Sequence, residues 1–310
     1  MKKKSWISRK KLAAISLIYL LLFASSFIFI ILKNIPTFSI GFAKVEKHNT
    51  FDIVTLKSHD ITNQMLKDNP KEILFENQVV LYPGSGYITE IIPVLTGTSA
   101  KNILHHGVLT HIFHGRDLTC PNYHKLLFAS GEEMTPFYAP EGYGYPIKPL
   151  SGTFALVTHF TNDPGVDLTK IHFEFKIKVS KEKLKPIEPI RLDINNDCNY
   201  ESAFIVPANT TKTFKNRRGL IMPFTGRLLL IGAHVHKYSK GLELYQNTTK
   251  ILEIDPITDS KNEIISIIPR YPQNIILKNG DNLDIKSAYS NTEDKPVEGM
   301  GIFFAYLEKE

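Results

Sequence analysis

The sequence predicts an all-β protein: two tandem antiparallel β-sandwich domains of jelly-roll type behind one N-terminal transmembrane helix. Three observations predict it. Residues 12–32 form a run of 21 without a charge. Beyond residue 50, short runs rich in Val, Ile, Phe and Thr recur between clusters of Gly, Pro, Asn and Asp. Helical periodicity is scarce outside the first run.

Taken in order, residues 1–11 are a basic tail with six cations: Lys2, Lys3, Lys4, Arg9, Lys10 and Lys11. Leu12–Leu32 follows, and as a helix at 1.5 Å per residue it reaches roughly 32 Å, enough for a ~30 Å hydrocarbon core. The excess of cations before it places the N-terminus in the cytoplasm and the rest outside, in a periplasmic, extracellular or lumenal space. A cleaved leader has an apolar stretch of roughly 7–15 residues ending at small residues. Here the small cluster Ala24-Ser25-Ser26 lies inside the run, so the segment is expected to stay as an anchor.

Residues 33–50 read as a tether. A first domain is expected over 51–180, with strands at Val79–Tyr82, Tyr87–Val94, Gly107–Phe113, Thr153–Phe160 and Ile171–Val179. In the last of these, apolar residues alternate with polar ones, which predicts a strand with one wet face. Ser180–Pro189, rich in mixed charge and proline, marks a boundary. A second domain over 190–310 holds runs at Ile190–Ile194, Gly226–Val235, Glu243–Tyr245, Glu263–Pro269, Leu283–Ala288 and Gly301–Leu307. The length of 310 residues suits two domains on a prior of ~150 residues each.

Charge excludes one class of partner. Lys and Arg number 37 against 31 Asp and Glu, but residues 1–33 hold seven of the cations and no acid, leaving 30 against 31. A folded part at −1 offers no basic face for phosphates, so nucleic-acid binding is not expected. Cys120 and Cys198 are too few for a disulfide scaffold, and their spacing leaves one bridge or two thiols open. Asn209 and Asn247 begin glycosylation sequons, relevant only in a host that glycosylates.

The histidines are unevenly placed. His105, His106, His111 and His114 fall within ten residues, His159 lies in the strand TFALVTHF, and His234-Val235-His236 ends the strand LLLIGAHVH. Residues two apart on a strand share a face, so His234 and His236 form half of a metal site. The adjacent pair His105-His106 points to opposite faces unless the backbone bulges, which Gly107 favours. A surface role is the plain reading for each pair taken alone, and structural or surface roles are expected for His111, His114 and His124. Met300, taken alone, reads as a core filler.

Together the residues resemble the type II copper, ascorbate-dependent monooxygenases, the family of the peptidylglycine α-hydroxylating enzymes and dopamine β-hydroxylase. His105, His106 and His159 match one copper triplet, and His234, His236 and Met300 match the other. LLFASGEEMTPFYAPEGYGYPI before the histidine strand, and NGDNLDIKSAYSN before VEGMGIFFAYLE, are similar to the family's loops. The resemblance covers residues 75–310. It implies two coppers per chain, ascorbate or another one-electron donor, and hydroxylation of a substrate C–H bond with dioxygen. By the same resemblance the first copper passes an electron and the second, with catalytic ligands His234, His236 and Met300, meets dioxygen. A thioether among imidazoles favours Cu(I), and zinc cannot do redox chemistry.

The departures fall on substrate recognition. Gly232 stands where peptide-amidating members carry an arginine, and Phe304 where they carry a tyrosine. Without the guanidinium fork a C-terminal carboxylate loses its main contact, so the substrate, a small molecule or a peptide, is not expected to be peptidylglycine. IGAHVHKYSKGLELYQ looks closer to the stress-up-regulated nodulin-like branch. A non-catalytic copper-binding or interaction module on the same fold is the alternative.

Overall fold

Alternation decides much of the first half. In the computed structural model, which describes residues 39–68, 72–97, 103–161, 170–195, 198 and 203–310, Phe173, Phe175, Ile177 and Val179 are all buried while the residues between them face outward. The strands of this half are β1 (Ser39–Phe42), β2 (Lys44–Lys47), β3 (Phe51–Lys57), β4 (Glu72–Tyr82), β5 (Gly86–Thr96) and β6 (Leu104–Arg116). Then come β7 (His124–Ser130), β8 (Phe137–Tyr138), β9 (Tyr143–Ile147), β10 (Gly152–Thr161), β11 (His172–Ser180) and β12 (Lys185–Pro186). One sheet runs β1-β4-β10-β6-β7 and the other β12-β9-β5-β11-β3-β2, with β8 on β5. Their inner faces meet in one apolar core containing Leu56, Ile88, Leu109, Phe154, Phe160, Phe173 and Phe175.

The apolar run 12–32 and the tail before it lie outside the described residues, and among the described residues no helix is long and apolar enough to cross a membrane. A short helix, α1 (Asn63–Asp68), was not expected. The tether reading of 33–50 needs correction from Ser39 onward. β1 and β2 are sheet edges, because Ala43 and Val45 pack on the core and the Ala43 N–H donates to the Leu81 carbonyl.

The second half contains β13 (Glu188–Asp193), β14 (Phe204–Val206), β15 (Thr210–Lys215), β16 (Leu220–Ile221), β17 (Gly226–Val235) and β18 (Ser239–Gln246). It continues with β19 (Thr249–Ile254), β20 (Ile257–Thr258), β21 (Ile264–Ser266), β22 (Ile276–Leu277), β23 (Asn282–Asn291), β24 (Val297–Gly299) and β25 (Gly301–Lys309). The sheets run β13-β25-β17-β22 and β15-β23-β18-β19. The expected strand Glu263–Pro269 shrinks to β21, since Ile265 and Ile268 find no cover and proline ends the ladder.

One strand positions the site. From Gly301 to Leu307 every residue of β25 is buried. Phe303, Ala305 and Leu307 face the core of their own half. Ile302, Phe304 and Tyr306 belong to the core of the first half. A strand buried on both faces reads as a continuous apolar run, which FFAYL does. Its neighbour β17 pairs Gly232 with Phe304 and His234 with Ile302. Residues directly opposite share a face, so His234 projects toward the first half. Cys120 and Cys198 form a disulfide, and it joins the two halves from loops on either side.

Candidate metal centre

The first pair sits on a bulge. Along β6 and β10, His106 lies opposite His159 and Leu104 opposite Phe160, so His105 is the extra residue. That turns two adjacent imidazoles, otherwise on opposite faces, toward one place. Their ring centroids are 4.1 Å apart, and His159 lies 4.8 Å from His105 and 6.1 Å from His106. Gly107 serves packing as well: a Cβ there would lie 2.4 Å from the Phe173 ring of the opposite sheet.

The expected separation of two triplets does not hold. His106 Nε2 is 3.2 Å from His234 Nε2 and 3.4 Å from His236 Nε2. His105 and His236 have ring centroids 5.0 Å apart. The reason is the face of β17 that carries His234, which packs against the first half rather than away from it. Five of the six expected ligands therefore form one cluster. Met300 is buried with Ile302 and Phe304 in the first core, on the face that also carries His234. Its backbone is held by Tyr289, whose hydroxyl accepts from the Met300 N–H at 3.0 Å and from the His236 N–H at 3.1 Å, and donates to the Met300 carbonyl.

Carboxylates orient the rings. His234 Nδ1 donates to Glu133, with its oxygens at 3.2 and 3.3 Å, and its Nε2 faces His106 Nε2 at 3.2 Å. This is the arrangement in which an outer carboxylate fixes a ligand's tautomer. Glu298 lies 3.5 Å from both His105 Nε2 and His236 Nδ1. Gly131 leaves the necessary space, since a Cβ there would be 2.5 Å from His234 Cε1 and 2.9 Å from a Glu133 oxygen. Sequence reasoning missed Glu133, Glu298 and Gly131. The only signal was their presence in the segments SGEEM and VEGM.

Burial, reinforced by the neighbouring histidines, holds His106 and His236 well below the usual imidazole range. For His234 burial acts the same way but the Glu133 carboxylate outweighs it, and the pKa rises. Burial opposes ionisation of Glu133 too, yet His234 and backbone N–H bonds keep it lowered. His106 and His236, kept neutral, hold the lone pairs that a cation needs. Two nitrogens of one tetrahedral ion at ~2.0 Å sit roughly 3.3 Å apart, close to the separations of His106 from His234 and His236. Among the described residues, His105, His106 and His236 bring one ligand nitrogen each within 4.8 Å of one another, a set of imidazoles of the kind that borderline metals accept. A cleft of about 200 Å³, bordered by Glu132, Lys237 and Glu263, opens onto His105, His234 and His236. Behind Glu133 a slot lined by Phe137, Tyr138, Gly232, Tyr271 and Phe304 carries no cation, and a Cβ at Gly232 would meet nothing within 4 Å.

His111 has a structural role. It is fully buried, donates Nε2–H to the Ser151 carbonyl at 2.7 Å and accepts at Nδ1 from the Tyr145 hydroxyl at 2.9 Å.

No protein-family model matches the chain, and no curated protein matches it. Among solved structures, the STIV MCP is similar over 86% of this chain and 96% of its own, at 11% identity and a TM-score of 0.34. BuGH86 in complex with neoagarooctaose is similar over 85% of this chain and 34% of its own, at 13% identity and TM-score 0.23. The infectious bursal virus T=1 particle chain covers 86% of this chain and 70% of its own, at 12% identity and TM-score 0.22.

Proposed function

We propose that the protein is a membrane-anchored, copper-dependent monooxygenase that hydroxylates a C–H bond with dioxygen and a one-electron donor such as ascorbate. The observation that carries the reading is the meeting of His105, His106, His159, His234 and His236, from opposite halves of the chain, as partly or fully buried imidazoles. Copper held there would supply one-electron redox chemistry. The chain's own residues do the rest. Glu133 holds His234 in the ligating tautomer, burial excludes the proton from His106 and His236, and the cleft admits a small substrate beside the rings. The slot at Gly232 and Phe304 offers no cation to a terminal carboxylate, and Lys237 at the cleft is already paired with Glu263 at 2.7 Å. The anchor would be residues 12–32, with the folded part outside the cytoplasm.

The alternative, a non-catalytic copper-binding or interaction module, keeps the imidazole cluster and is favoured by the departures at Gly232 and Phe304 from the pattern of the resembled family. Metal counting, product detection and His106→Ala separate the readings. Tight copper binding that His106→Ala abolishes, with ascorbate-dependent oxygen uptake and a hydroxylated product, supports the enzyme. Tight binding without turnover leaves the module. Binding unaffected by His106→Ala ends both. One or two coppers per chain distinguishes a shared ion from two.

A further inference from the structure

At the sheet end remote from His105, His106 and His159, and close to His111, His114 and His124, large apolar side chains stand in water. Phe113 is 86% exposed, Leu150 84%, Phe42 80% and Ile40 59%. Topology gathers them. β10 starts at Gly152 opposite Tyr82 and pairs Phe154 with His111. Leu150 therefore lies just before that end and Phe113 just past it, and His111 bonds Ser151 across the gap. β1 reaches the same end through the Ala43–Leu81 bond. Phe113 and Leu150 both adopt left-handed backbone, φ +64° and +60°, a conformation costly for bulky residues and kept where something requires it. Arg116 and Lys148 flank the tips, and Lys125 beside them is paired with Glu188. In sequence the apolar run ends at Leu32, eight peptide links from Ile40, at most about 29 Å of chain.

We propose that this end of the first half rests on an anionic bilayer surface, with Phe113 and Leu150 below the headgroups and Arg116 and Lys148 among them. Exposed aromatic and aliphatic tips beside cations are the composition that lies at a lipid interface. The contact is additional to the anchor and takes from the anchor reading only the nearness of a membrane. His159 is seven residues along β10 from Gly152, so the histidine cluster lies about 23 Å along the strand from this end.

The test uses the full chain with Trp6→Phe, which removes the sole tryptophan, and Phe113→Trp as reporter. The protein is mixed with phosphatidylcholine vesicles containing phosphatidylglycerol and a headgroup-level spin-labelled lipid. Indole emission from the Phe113→Trp protein should fall about twofold, and Arg116→Glu with Lys148→Glu should remove most of that loss. Ile205→Trp in place of the Phe113 reporter, on β14 and 64% exposed, is the control that should stay bright. Equal quenching at both positions, quenching at neither, or shielding of the Phe113→Trp indole that grows with protein concentration without lipid overturns the proposal. Flotation after carbonate extraction reads the anchor separately: a chain that fails to float but whose Phe113→Trp reporter is quenched has lost the anchor reading alone.

Discussion

At the scale of single residues, the histidine cluster depends on groups outside it. Gly131 leaves room for the His234–Glu133 bond, and Gly131→Ala places a carbon 2.5 Å from His234 Cε1. Copper affinity should fall ~10–100-fold while the fold persists, measured by competition with a chelator; an unchanged affinity would mean Glu133 does not orient the ring. His111 offers a second test. Burial, against the opposing Ser151 bond, lowers its pKa from 6.5 to about 4. The folded state therefore binds fewer protons than the unfolded one between those values. Its contribution is complete above pH 6.5 and is lost as pH falls toward 4, about 3 kcal/mol in all. Urea midpoints at pH 7, 5 and 4 should drop less steeply for His111→Asn than for the native chain. The histidines themselves were legible because strand periodicity and a bulge beside Gly107 predict where they point, and the bulge is there. Glu133 was not, since a loop carboxylate has no period to betray it.

At the scale of elements, β17 and β25 are locked at their histidine end by one phenol. Tyr289, on β23, is fully buried and its hydroxyl serves the backbone of both His236 and Met300. Burial pushes its pKa up to about 12, so it stays protonated and able to donate. Tyr289→Phe leaves two buried N–H groups and a carbonyl unpaired, at roughly 1–3 kcal/mol. Equilibrium unfolding should show that loss, and copper affinity should weaken with it; full stability would show that water replaces the hydroxyl. Which residues of a strand face its core follows from patterns visible in sequence, as with the alternation in β11. Which face of β17 meets the other half does not. Its residues are apolar on both sides, with Leu230 in one core and Ile231 in the other, so periodicity is silent and the two triplets looked separable.

For the whole molecule, the histidine cluster exists only while the halves stay together. Apolar packing through β25 holds them, and so does the Cys120–Cys198 bridge across 78 residues of chain. On a chain-entropy estimate, closing a loop of that length contributes about 4.5 kcal/mol. Reduction, or Cys120→Ser with Cys198→Ser, should lower unfolding stability by that order and weaken copper binding in parallel. Retained affinity at lowered stability would mean packing alone aligns the rings. The bridge also changes what the connecting peptide is for. Residues 181–183 are exposed, an open target for proteases, yet a nick there would not free either fragment. The product would be a two-chain molecule, single on a non-reducing gel and double on a reducing one, with its histidines still supplied from both pieces.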